Sequence, residues 1–254
     1  MFRFSNKPIY KDDDEMITAL MRISCFGFGS EEDMKRDNML KVIGEVKNYA
    51  GDLQNPKLAY WLGIAWRNFT AWHIRGDERK ECLEKAIYYF DKALKLSKTT
   101  LPVQLPLDKR HNSKYLDQID IAGDLGHVLV NEAIIRDIDR AEKVLQFVFN
   151  NTNEYEPCLC AYAELFYKRG DYQKCVGIGL NISNRMAKSP EWNDNPPPAP
   201  LGIVGSAYRA LAKQAKREGK TDKAIRYFQK MKGLKVASKN DLKILEKLKN
   251  NQVA

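Results

Sequence analysis

Leu159-Cys-Ala-Tyr-Ala163-Glu-Leu-Phe-Tyr-Lys-Arg-Gly170-Asp-Tyr-Gln-Lys-Cys175-Val-Gly-Ile-Gly179-Leu-Asn-Ile182 is the stretch that decides the fold class. Tyr162 and Ala163 stand three and four positions after Leu159, and Gly179 and Ile182 stand four and seven after Cys175, so each set lines one face of a helix. Lys168-Arg-Gly170-Asp171 lies between them. Gly170 can take left-handed backbone past a helix end, and Asp171 can cap the helix that follows. The stretch therefore reads as two antiparallel helices joined by a tight turn.

The same pattern recurs along the chain. Ala141-x3-Leu145-x2-Val148 precedes Cys175-x3-Gly179-x2-Ile182 by 34 residues, and Leu125, Val128 and Leu129 precede Leu159, Tyr162 and Ala163 by the same 34. It returns as Tyr208, Leu211 and Ala212 with Ala224, Phe228 and Met231, on either side of Glu218-Gly219-Lys220-Thr221. It also returns as Ala59, Leu62, Gly63 and Trp66 with Ala86, Phe90 and Ala93. In three of these repeats the small residue of the first helix precedes that of the second by 12 positions; from Gly63 to Ala86 the distance is 23. The difference amounts to about three turns at about 3.6 residues per turn, so the buried faces stay in phase. The spacing predicts two unusually long helices, at about 56–75 and 78–97, with the turn at Gly76-Asp77, Asn55 as N-cap and Pro56 as first helical residue.

These repeats resemble tetratricopeptide repeats, most closely at Leu62-Gly63-x2-Trp66, Ala86-x3-Phe90, Gly170-Asp171-Tyr172 and Ala224-x3-Phe228. Glu84–Leu96 and Lys223–Lys230 look like second helices of that repeat. The resemblance implies an all-α fold, a right-handed superhelix (α-solenoid) of antiparallel helix pairs. The repeats would occupy about 55–97, 120–155, 156–189 and 203–236 of a domain spanning 55–236. Residues 1–54 read as an N-terminal helical hairpin or cap. Asp12–Glu15 opens one helix, and Ser30-Glu-Glu-Asp33 resembles a capping box ahead of Met34, Met39, Leu40, Ile43 and Val46. Residues 237–254 read as a capping helix and tail, with Leu242, Leu245 and Leu248 facing inward. The proline-bearing stretches Ser97–Ser113 and Ser189–Pro200 read as connectors.

Composition excludes several classes. No apolar run approaches the ~20 residues that span a bilayer, and no signal-peptide core precedes Asp12, so a cytoplasmic protein is expected. Cys25, Cys82, Cys158, Cys160 and Cys175 are odd in number and unevenly spaced, which describes neither a disulfide framework nor a zinc site. The three histidines, His73, His111 and His127, are scattered, and no phosphate-binding glycine motif is present. The expectation is a protein that is not an enzyme and uses no cofactor or metal. The net charge of +9 is concentrated late: residues 190–254 carry 14 Lys and Arg against 6 Asp and Glu.

The resemblance also implies a concave groove lined by the first helix of each repeat. In this register the groove presents Lys57, Tyr60, Ile64 and Arg67; then His127, Val130 and Ala133; then Cys160, Glu164, Tyr167 and Lys168; and last Arg209, Lys213, Lys216 and Arg217. Ile64 and Val130 stand where some family members place polar residues of a carboxylate clamp, so that clamp is incomplete here. Arg209, Lys213, Lys216 and Arg217 form one helical stripe suited to an acidic segment. The expected function is a protein-interaction scaffold binding a peptide or partner protein, an acidic one in particular. The alternative is a nucleic-acid-associated protein using the basic helices of residues 209–249, and self-association through a terminal repeat is a third reading.

Overall fold

The computed structural model describes residues 10–25, 29–49, 53–105, 115–152, 158–188 and 199–253. Among them it is all-α, with eleven α-helices, one 3₁₀ turn and no strand. The helices are α1 Asp13–Ser24, α2 Arg36–Tyr49, α3 Pro56–His73, α4 Glu78–Thr100, α5 Gln118–Asn131, α6 Ile138–Asn151, α7 Leu159–Arg169, α8 Tyr172–Met186, α9 Ala199–Arg217, α10 Thr221–Gly233 and α11 Lys239–Val253. They fall into two compact units, residues 1–128 with 132–136 and residues 129–131 with 137–254.

The N-terminal unit is built on the long pair α3 and α4. Asn55 caps α3 with its side-chain oxygen accepting from the Lys57 and Leu58 backbone N–H, and Pro56 sits in the first turn. Gly76, at φ 70°, turns the chain into α4, which ends at Thr100. The two helices interlock where Gly63 meets the Phe90 ring: an added Cβ at Gly63 would lie 2.8 Å from it. Leu20, Ile23, Met39, Ile43, Leu58, Leu62, Phe69 and Ile121 fill a shared core with them. Burying a side chain of this size contributes about 1.5–3 kcal/mol.

Two local expectations shift. Ser30 and Asp33 do bond reciprocally, Ser30 N–H to Asp33 Oδ2 at 2.8 Å and Asp33 N–H to Ser30 Oγ at 3.2 Å. They close a turn of their own, and α2 begins only at Arg36. Ser97 is no connector; it is buried in the last turns of α4 with its hydroxyl donating to the Leu94 carbonyl. The chain leaves helix at Leu101, just before Pro102, whose carbonyl accepts from the Gln118 N–H. Residues 106–113 of that connector, His111 included, lie outside the described residues.

In the C-terminal unit α6 packs on α7, α7 on α8, α8 on α9, α9 on α10 and α10 on α11. Leu145, Val148, Leu159, Ala163, Phe166, Cys175, Ile182, Val204, Ala212, Ala224, Phe228 and Met231 are its buried apolar positions. Gly170 and Gly219, at φ 80° and 72°, make the two turns read from the sequence. Gly179 lets α9 come close: an added Cβ would meet Val204 Cγ2 at 2.5 Å. A Cβ added at Gly177, two residues earlier, meets nothing within 4 Å among the described residues. Arg169 joins Asp139 and Glu142, tying α7 to α6. Helix α9 starts at Ala199, with Pro200 tolerated in its first turn. Residues 189–198 of the second connector are outside the described residues.

Candidate binding surface

The sequence-derived residues separate into an internally bonded set and an outward-facing set. In the N-terminal unit Tyr60 and Arg67 lie on one side of α3 and converge on a carboxylate of α5. The Tyr60 hydroxyl donates to Asp124 Oδ2 at 2.6 Å, and Arg67 Nη1 donates to Asp124 Oδ1. Arg67 Nε also donates to Asn68 Oδ1, and Asn68 Nδ2 to the Ser24 carbonyl of α1 at 2.7 Å. Burial and the Asp124 carboxylate raise the Tyr60 phenol well above its ordinary pKa. Burial disfavours the Arg67 charge, but Asp124 outweighs it and the guanidinium pKa rises. These two side chains therefore staple helices rather than stand ready for a ligand. Ile64 is buried at the same face, and Lys57 is half-buried.

In the C-terminal unit the structure gathers Tyr167, Arg209, Lys213 and Arg217 around one cleft of about 390 Å³, together with Tyr172, Ser206, Ala210 and Gln214. One wall is aromatic: Tyr167 lies in the last turn of α7, Tyr172 begins α8, and their ring centroids are 5.4 Å apart. The other wall is the α9 stripe. Its members differ in what holds them. Arg209 is committed to α11, with Nε donating to Asp241 Oδ1 at 2.9 Å and Nη2 to Asp241 Oδ2 at 2.7 Å. The Asp241 side chain is only 3% exposed and also accepts from the Ser238 N–H and hydroxyl. The Arg209 guanidinium, opposed by burial, holds that carboxyl far below the usual carboxylate range. Lys213 and Arg217 are exposed and have no ion-pair partner among the described residues. Lys216 is exposed as well but does not line the cleft.

Glu164 and Lys168 are neighbours of the cleft with other work. Lys168 Nζ pairs with Glu164 at 2.9 Å and donates to the Val130 carbonyl and to Asn131 Oδ1, each at 3.0 Å. It thereby satisfies the Val130 carbonyl in the last turn of α5. Val130 is buried, Cys160 is half-buried, and His127 and Ala133 are exposed. Sequence reasoning missed Tyr172, Ser206 and Gln214 at the cleft, and Asp241 and Asp124 behind the arginines. Ser206 and Gln214 lie on α9 beside the predicted residues, and Tyr172 begins α8, a helix from which no site residue was expected; the two aspartates lie 32 and 57 positions from their partners and leave no local signal.

Among the described residues no group of His, Cys, Asp and Glu side chains could hold a metal ion, and no helix is long and apolar enough to cross a membrane. No protein-family model matches the chain, and no curated protein is detectably similar to it in sequence.

Proposed function

We propose that the chain is a tetratricopeptide-like scaffold, its helix pairs stacked as a right-handed α-solenoid. Its role is non-catalytic: the α7–α9 cleft binds an acidic, aromatic- or apolar-bearing segment of a partner protein. The observation that supports this best is the cleft's two-sided chemistry. Lys213 and Arg217 stand exposed and without an ion-pair partner among the described residues, opposite the Tyr167 and Tyr172 rings. Cations at a rim raise the association rate and orient a ligand, while tyrosine faces take up an apolar side chain at small entropic cost. Arg209 contributes rigidity, because Asp241 fixes it and neutralises its charge.

The test is a fluorescence-polarisation titration with a labelled peptide carrying glutamates around a phenylalanine. A Lys213→Glu/Arg217→Glu variant should bind it at least about tenfold more weakly, the equivalent of about 1.4 kcal/mol. Equal binding by the variant removes the cleft from consideration. Generic RNA and DNA, titrated at two ionic strengths, test the alternative: tight, steeply salt-dependent binding of nucleic acid and none of the peptide would replace the scaffold reading.

A further inference from the structure

We propose that the N-terminal unit carries a second, separate docking surface: a furrow between α2 and α4 that receives an amphipathic helix of a partner protein, apolar toward Trp66 and acidic at its C-terminal end. The direction of the walls comes first. His73, at the end of α3, contacts the Met34 carbonyl just before α2 at 2.8 Å, so α2 runs antiparallel to α3. Lys85 of α4 lies over Trp66 of α3 and Phe90 lies by Tyr60, so α4 is antiparallel to α3 too. Thus α2 and α4 are parallel, and Arg36–Glu78, at 3.9 Å, joins their starts.

Beyond that joint the two helices leave a cavity of about 740 Å³. Its floor is Leu53, Leu62 and Trp66, and its walls carry Leu40 and Ile43 on one side and Tyr88 and Tyr89 on the other. Leu40 is 38% exposed and Tyr88 57%, a large apolar display for two facing helices. Gly44 sits in the α2 wall, and a Cβ added there meets nothing within 4 Å among the described residues.

Two further observations specify the occupant. The Trp66 Nε1–H is buried without a hydrogen-bond partner among the described residues. Lys85 covers the indole, its Nζ 4.8 Å from the ring centroid; its one ion pair among the described residues is the exposed one with Glu81, at 2.7 Å. A flexible lysine in a weak surface pair swings aside at small cost, and the incoming helix then supplies an acceptor to the orphaned donor. Charge sets the orientation. Glu81 and Glu84 line the end near the Arg36–Glu78 joint, Lys47 and Lys92 the other. A helix lying parallel to α2 and α4 puts its positive N-terminus at the glutamates and its negative C-terminus at the lysines. From Glu81 to Lys92 the wall is long enough for about three helical turns. Among the described residues no helix exposes more than two large apolar side chains, so none of them offers a second copy the apolar face that this furrow calls for.

The probe is a short synthetic helix with leucines on one face and glutamates at its C-terminal end, beside a scrambled peptide, titrated into the full chain. Nitrogen–proton spectra follow the Trp66 indole, assigned with Trp66→Phe. The expected result is a shifted Trp66 indole signal with the designed helix only. Gly44→Glu, which fills the furrow with charge while favouring helix, should weaken binding at least about tenfold with the melting midpoint maintained. Tyr88→Glu should do the same, and Lys213→Glu/Arg217→Glu should leave this binding unchanged, which separates it from the C-terminal cleft. An unmoved Trp66 indole, equal binding of the scrambled peptide, or indifference to Gly44→Glu overturns the proposal. So does concentration-dependent dimerisation of the chain alone that Gly44→Glu abolishes, because the occupant would then be a second copy.

Discussion

Replacing Arg209 by methionine keeps most of the aliphatic stem against α9 and removes the guanidinium from Asp241. Stripping the partner from a buried charge costs about 3–5 kcal/mol when nothing else compensates. Here two donors from Ser238 remain, at 2.8 and 2.7 Å, and the Arg209 side chain is 35% exposed, so water reaches part of the pair. The expected loss is therefore about 2 kcal/mol. It falls on α11, which this ion pair and the buried Leu245 and Leu248 help to hold. Hydrogen exchange read helix by helix should show α11 amides exchanging about 30-fold faster, with α7 and α8 unchanged. The pH dependence has a definite sign. A carboxyl held below its ordinary value stabilises the folded state above its unfolded-chain pKa of about 3.9, and that contribution fades as pH falls further. The parent protein should lose α11 protection below about pH 4, and Arg209→Met should show a shallower loss over the same range. Unchanged α11 protection in the variant at neutral pH would refute the role given to this pair.

Gly63→Ala forces a methyl against Phe90, and Gly179→Ala does the same against Val204. Each should cost about 1–3 kcal/mol, read as a lowered urea midpoint for its own unit. Asp124→Asn removes the carboxylate shared by Tyr60 and Arg67. It should destabilise the N-terminal unit by about 2 kcal/mol in urea and lower the Tyr60 phenol's pKa, followed by NMR, while leaving it above the ordinary value because burial remains. Burial pushes the Cys175 thiol up to about 12, so alkylation at pH 8 should mark the half-buried Cys158 and Cys160 in the folded protein and reach Cys175 only in denaturant.

The helices were legible because their signals are local. Periodicity and the Gly63-to-Ala86 spacing placed the long pair within three residues of its observed ends, and Asn55-Pro56 marked its start. Boundaries slipped where a local motif had two uses: the Ser30–Asp33 box caps a turn, and no breaker stops α4 at Ser97. The basic stripe on α9 was legible as a stripe, yet its members could not be ranked. A helical wheel shows that Arg209 and Lys213 share a face, but not that Asp241, 32 residues on, has claimed one of them. The furrow on α2 and α4 went unread for the same reason, since Leu40, Trp66 and Tyr88 belong to three different elements.

The Gly63–Phe90 contact also fixes the alignment of the long hairpin. A ring seated in the hollow of a glycine acts as a detent between the two helices. Moving α4 by one turn either way carries Phe90 onto Ala59 or toward Trp66, where there is no hollow to receive it. Length and alignment are thus encoded separately in this hairpin: whole turns can be added between the marks, as the extra residues already show, while a single notch keeps the two rods in register.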